Sequence, residues 1–267
     1  KSAIKAVKEG KNYLNISAGE TVVEETIIRL RPEQEAAVEQ TQKVFKKKDR
    51  MLWNAKMRFG KTLTSLQLVK NEAFQRVLIM THRPVVADSW FDDFKKMKMS
   101  ANGYDYGSVN QGETLENLKR GEKPFVYFAS IQLLRYNGGQ TNLKDFADVN
   151  WDLIIIDEAH EGTQTELSDT VMKELVKEHT KILELSGTPF NLLDQFDEEQ
   201  VYTWDYVMEQ QAKKKWELER PSEPNPYETL PKVSMFTFEM KHKERFSDES
   251  KSFNFREFFR VAEDGQL

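Results

Sequence analysis

The order of apolar and polar positions divides the chain into three stretches. Residues 1–28 show little periodicity, and Gly10, Asn12, Asn15 and Gly19 punctuate them with turn formers. They read as an approach segment. From Arg31 the pattern turns helical. Pro32 stands where a helix starts, Glu33 and Glu35 fill its first turn, and Ala36, Ala37, Val38, Thr41, Val44 and Phe45 form an apolar stripe. Short apolar runs then alternate with helical patterns until about residue 190. The runs with strand character are 51–55, 77–80, 125–129, 153–156 and 182–185. The helical patterns between them are 62–74, 84–97, 131–136 and 167–178. Leu153-Ile154-Ile155-Ile156 offers no polar face. That predicts a strand buried on both sides, in a parallel sheet with helices on either face. The loop-like stretch 101–112 leaves room for one more strand around 104–109.

The character shifts after residue 195. Residues 198–219 are charged and helix-prone and carry Tyr202, Trp204, Tyr206 and Trp216. Pro221, Pro224, Pro226 and Pro231 then mark an irregular linker. Residues 233–240 read as one more strand, and the polar tail holds Phe246, Phe253, Phe255, Phe258 and Phe259. The expected division is an approach segment at 1–28, an α/β domain at 29–195 and a helical, proline-interrupted linker at 196–267. Trp53, Trp90 and Phe94 are expected in the core. The late phenylalanines either pack on a domain or stack on bases, with packing preferred.

A chain of 267 residues makes one large domain or two small ones and can bury a sizeable core. Acidic residues outnumber basic ones, 44 to 39, for a formal net charge of −5. This argues against a tail-type nucleic-acid binder but leaves a locally basic groove open. The absence of cysteine excludes disulfide scaffolds, thiolate zinc sites and cysteine nucleophiles, and fits a reducing cytosol. His82, His160, His179 and His242 are scattered, so a histidine metal site is not expected. No apolar run approaches the roughly 18 residues of a spanning helix and no signal peptide is visible. A cytoplasmic protein without a membrane partner is expected. The chain begins at Lys1 and reads as a piece of a longer protein.

Three segments carry chemistry. The first is Ala55-Lys56-Met57-Arg58-Phe59-Gly60-Lys61-Thr62, after a predicted strand and opening a predicted helix. That is the setting of a phosphate-binding loop, in which backbone N–H groups and the helix N-terminus cradle phosphates. Lys61 would contact the β and γ phosphates, and the Thr62 hydroxyl would ligate Mg²⁺. Ala55 replaces the first glycine of the pattern. Arg58 either adds a phosphate contact or faces solvent. The second segment is Asp157-Glu158-Ala159-His160, at the end of the most apolar strand. Asp157 suits Mg²⁺, and Glu158 suits polarising an attacking water. Open α/β sheets bind ligands at the carboxyl ends of their strands, so both segments point into one crevice. The third is Ser186-Gly187-Thr188-Pro189, again after a strand, which either relays hydrogen bonds or is simply a turn.

Together these segments resemble the first RecA-like motor domain of superfamily 2 helicases and translocases of the DEAH-box type. Within that group they are most similar to the motor (R or Res) subunits of type I and type III restriction–modification systems. The resemblance covers about residues 28–195. It implies an α/β fold: a RecA-like three-layer α/β/α sandwich with a mainly parallel sheet, of the P-loop NTPase class. It implies ATP and Mg²⁺ as cofactors. It makes Glu158, Asp157 and Lys61 catalytic. ATP would be bound by Arg31, Gln34, Arg58, Phe59, Gly60, Lys61 and Thr62, with Gln34 reading the adenine edge. Thr62 and Asp157 would hold the metal. His160, Ser186 and Thr188 would couple the nucleotide to a second domain. Thr81, His82, Arg83, Ser130 and Gln132 resemble the nucleic-acid motifs, although His82 alone is equally a structural histidine.

The second RecA-like domain, with its arginine finger, is not recognisable after Thr188. It is expected elsewhere on the same parent chain, and this piece is expected to turn ATP over poorly without it. Duplex DNA is the favoured track, with methylase and specificity subunits as further partners. The alternatives are an RNA or repair helicase, and a nucleotide-gated DNA-binding or scaffold module without turnover.

Overall fold

In a computed structural model, residues 28–82, 84–135, 143–161 and 166–230 are described. The predicted strand at 233–240, the late phenylalanines and the approach segment up to residue 27 lie outside them, as does Arg83. Helix α1 (Pro32–Phe45) opens the fold. Strand β1 (Arg50–Ala55), helix α2 (Lys61–Glu72), strand β2 (Arg76–Thr81) and helix α3 (Ala87–Lys96) follow. Next come β3 (Asp105–Gly107), α4 (Leu115–Arg120), β4 (Phe125–Ser130), and the short helices α5 (Ile131–Arg135) and α6 (Leu143–Ala147). The order closes with β5 (Leu153–Asp157), α7 (Glu166–Leu175), β6 (Lys181–Ser186), β7 (Val201–Trp204) and α8 (Tyr206–Glu219).

All seven strands pair in parallel, in the order β3-β4-β2-β5-β6-β1-β7. Helices flank this sheet as in the RecA-like P-loop fold that the sequence predicts. Both faces of the central strands are dry. Leu153, Ile154 and Ile155 are fully buried, as are Val77, Leu78 and Ile79 on the neighbouring β2. A run without polar alternation is therefore what these positions require. Trp53, Trp90 and Phe94 are core residues as expected. The extra strand foreseen around 104–109 exists as the short edge strand β3.

The helix-prone reading of 198–219 needs correction. Val201-Tyr202-Thr203-Trp204 is not helical; it is the seventh strand, paired with β1 in the register Trp53↔Tyr202 and Ala55↔Trp204. Burial alternates along it, and β-branched and aromatic residues suit that half-buried surface. The charge that made the stretch look helical belongs largely to α8. That helix starts only after Asp205, whose carboxylate accepts from the Met208 N–H at 2.8 Å. The sheet thus runs past residue 195, where the pattern had ended it. The chain divides into two compact units, residues 1–228 and 229–267, and every element above lies in the first. Among the described residues no helix is long and apolar enough to cross a membrane.

Ile155 tests the two-sided burial directly. Ile155→Ala should cost about 2–5 kcal/mol in chemical unfolding. A loss below about 1 kcal/mol would contradict burial of both faces of β5.

Candidate functional site

The loop between β1 and α2 is short of glycine and is braced instead. Gly60, at φ 88, is the N-cap of α2, and a Cβ there would fall 2.5 Å from the Gln34 Nε2. The left-handed backbone favours glycine there, and any side chain would also have to displace the Gln34 amide. Arg58 also sits in the left-handed region, at φ 66, and its side chain is exposed. Phe59 is expected at the ligand, but its ring is fully buried. It lies among Trp53, Tyr202 and Trp204, with ring centroids 6.1–6.5 Å away. Apolar burial explains the difference: the ring plugs the core and only its backbone faces the loop.

That backbone is what Arg31 and Gln34 hold. The Phe59 carbonyl accepts from Arg31 Nη2 and from Gln34 Nε2, each at 2.7 Å. The Gln34 Oε1 accepts from the Arg31 backbone N–H at 2.8 Å, which caps α1. Gln34 is 4 % exposed and both ends of its amide are engaged. In this arrangement it braces the loop rather than presenting a free amide to an adenine. Arg31 is further fixed by Glu33 and lies over the Tyr227 ring, 5.9 Å from its centroid.

Lys61 opens α2, and its Nζ donates to the Ala55 carbonyl at 2.9 Å. Burial pushes its ammonium below the ordinary lysine range, while the charges of Glu158 and Asp157 pull it back up. Thr62 follows in the first helical turn, half-buried. Opposite them, β5 ends in Asp157. Its Oδ2 accepts from the Trp90 Nε1 at 3.1 Å, and its Oδ1 accepts from the Glu158 N–H at 3.1 Å. Burial holds this carboxyl above the usual aspartate range, and the Trp90 hydrogen bond works against that. Trp90 reads in the sequence as core alone; its second role leaves no local signature, because α3 and β5 are distant along the chain.

Glu158 takes φ 52, a strained left-handed conformation for a side chain of this size. Its Oε2 lies 3.5 Å from the His160 Nδ1, which is 2.9 Å from the Ser186 Oγ. That hydroxyl oxygen also accepts from the Thr188 N–H at 3.1 Å. The three residues expected to couple therefore meet, with Thr188 taking part through its backbone. Gly187 brings the end of β6 against the loop: a Cβ there would sit 3.7 Å from the Ala55 carbonyl and 4.0 Å from Lys61 Nζ.

The residues expected to touch nucleic acid lie further along the same edge. Thr81 is in register with both Asp157 and Ser130. The Gln132 Nε2 donates to the His82 carbonyl at 3.0 Å, and the Ser130 Oγ accepts from the Leu133 N–H at 3.3 Å. Thr81 is fully buried, so its side chain supports the strand ends instead of offering a surface contact.

The donor set fits ATP with Mg²⁺. The Thr62 hydroxyl and the Asp157 carboxylate are hard oxygen donors, and a cation of this kind takes its remaining ligands from phosphates and water. Among the described residues no cluster of three His, Cys, Asp or Glu side chains forms a dedicated metal cage.

Residues 27–191 match the family described as type III restriction enzyme, res subunit. A protein of Mycoplasma pneumoniae (strain ATCC 29342 / M129 / Subtype 1), provisionally named as the C-terminus of a type II restriction enzyme and methyltransferase, is 26 % identical over 258 residues. The match takes in 79 % of this chain and 35 % of that protein, so the chain spans about a third of that relative's length. Among solved structures, the Sulfolobus solfataricus SWI2/SNF2 ATPase core in complex with dsDNA aligns at a TM-score of 0.49 and 22 % identity, over 64 % of this chain and 35 % of that one. The UvsW helicase from bacteriophage T4 aligns at 0.47 and 16 %, over 66 % and 61 %. The family match takes in more than half of the sequence, from α1 to just past β6. The chain therefore belongs to the type III restriction enzyme res-subunit family.

Proposed function

We propose that the chain is the ATP-binding half of an ATP-dependent DNA translocase or helicase, the motor of a restriction endonuclease. One observation carries the reading. Lys61, the half-buried Asp157 and the Glu158–His160–Ser186 chain converge at the carboxyl ends of adjacent parallel strands. That edge is where open α/β sheets hold ligands.

The residues divide the work as follows. The α2 N-terminus and Lys61 bind phosphates. Arg31 and Gln34 keep the loop in shape through the Phe59 carbonyl; for Gln34 to read an adenine edge it must exchange one of its present contacts. Thr62 and Asp157 would hold Mg²⁺, which would neutralise phosphate charge when bound. Glu158 orients and polarises the attacking water, and His160 links it to Ser186 and the end of β6. A second RecA-like domain of the same parent chain closes the site and supplies an arginine. Ser130, His82 and Gln132 stand beside the track, which is duplex DNA gripped at its phosphates. Methylase or specificity subunits complete the assembly. Family membership supports the restriction assignment.

Four outcomes test the residue roles. Lys61→Ala should weaken ATP binding about a hundredfold or more; unchanged affinity by calorimetry would remove the loop from the site. Glu158→Gln in the protein carrying this chain should keep ATP affinity and slow turnover about 10²–10⁴-fold; normal turnover would remove Glu158 from its role. The pH profile of ATP binding should be narrower than ordinary residues would give. Affinity is lost on the acid side as the raised Asp157 takes a proton, and on the alkaline side as the lowered Lys61 gives one up. Trp90→Phe removes a donor that favours the charged Asp157, so the acid limb should move to higher pH; an unmoved limb would mean that Asp157 does not set it.

A further inference from the structure

The phosphate-loop pattern relies on glycine to shape its turn, yet residues 55–59 contain none. Something else must hold this loop, and two of the anchors come from the region after β6. The Lys56 N–H donates to the Trp204 carbonyl at 3.0 Å, which ties the loop to β7. The Lys56 Nζ donates to both carboxylate oxygens of Glu209, at 2.7 and 2.8 Å, and lies 5.8 Å from the Tyr206 ring centroid. Glu209 is fully buried. It sits one turn into α8, its backbone N–H bonded to the Asp205 carbonyl at 3.1 Å, so the capped helix start fixes where its carboxylate lies. A charge so placed is costly without its partner, and the partner is a residue of the loop itself. The β7 aromatics Tyr202 and Trp204 complete the support by enclosing Phe59.

We propose that Glu209 is a positioning residue for the nucleotide loop: through Lys56, helix α8 sets the loop's shape and so the affinity for ATP. The pair also commits the Lys56 ammonium to Glu209 and leaves Lys61 as the loop's ammonium toward the phosphates. Regulation follows from the connection. A partner or ligand that shifts α8 changes nucleotide affinity without touching the nucleotide. This inference rests on the ATP-binding reading above.

The experiment is a double-mutant cycle on the full 267-residue chain, with ATP and Mg²⁺ affinity measured by calorimetry beside each variant's Tm. Glu209→Gln and Lys56→Met should each weaken ATP binding about five- to tenfold, and the double variant should be no worse than either single one. Glu184→Gln is the control for lost stability. It breaks another ion pair with a buried carboxylate, Arg50–Glu184, away from the loop, and should lower Tm while sparing affinity. Equal losses of affinity in Glu184→Gln and Glu209→Gln, or additive losses around the cycle, would overturn the proposal. If Glu209→Gln does not fold, undiminished affinity in Lys56→Met is enough to overturn it. Lys61→Ala separates the two levels. If it binds ATP normally, the ATP reading falls and the inference with it; if it loses binding while Lys56→Met does not, the inference alone falls.

Discussion

Parallel pairing around β1 is the constraint from which the site follows. β1 lies between β6 and β7, and all three run the same way. Their carboxyl ends must therefore open on one edge of the sheet. The register puts Asn54 beside Ser186 and Thr203, so the loop leaving β1 rises directly between the turn after β6 and the start of α8. Slipping any of these strands by one residue would exchange its two faces and move every end group. The dry, apolar strands β2 and β5 keep that register, because both of their faces are buried.

The site's electrostatics depend on the same burial. Lys61 and Asp157 are each pushed toward the neutral form by desolvation, and each is drawn back toward the charged form by the other. In the proposed ATP-binding role, a ligand that brings phosphate to one and metal to the other would favour both charged forms. Strain is placed nearby as well. Glu158 holds a left-handed backbone at the strand end, with the His160 Nδ1 3.5 Å from its carboxylate. Pre-oriented charge in a water-poor crevice is the general condition for electrostatic catalysis.

Much of this was legible in the sequence, for physical reasons. Leu153–Asp157 announced itself because a strand buried on both faces allows no polar alternation. Gly60-Lys61-Thr62 was readable from its pattern between a strand and a helix, and its glycine takes the left-handed φ that other residues rarely adopt. The strand β7 was hidden, since four residues of alternation are short beside a long charged helix. The Trp90–Asp157 and Lys56–Glu209 contacts were hidden more deeply. Each joins positions far apart in sequence, and a lone Trp or Glu on a helix does not reveal its partner. Gln34 and Phe59 show a third case. The sequence marked both positions, but the structure engages the amide of one and buries the ring of the other in supporting the loop.

The most direct test of the motor assignment is the ATPase rate of the protein that carries this chain. It would be measured without nucleic acid and with duplex DNA, single-stranded DNA and RNA, using Glu158→Gln as the blank. A DNA-tracking motor should be stimulated most by duplex DNA, with stimulation falling as salt rises, because the grip is on phosphates. Preference for RNA or single strands would contradict the duplex track. ATP binding without stimulated turnover on any of them would contradict the motor itself and leave a nucleotide-gated binding module.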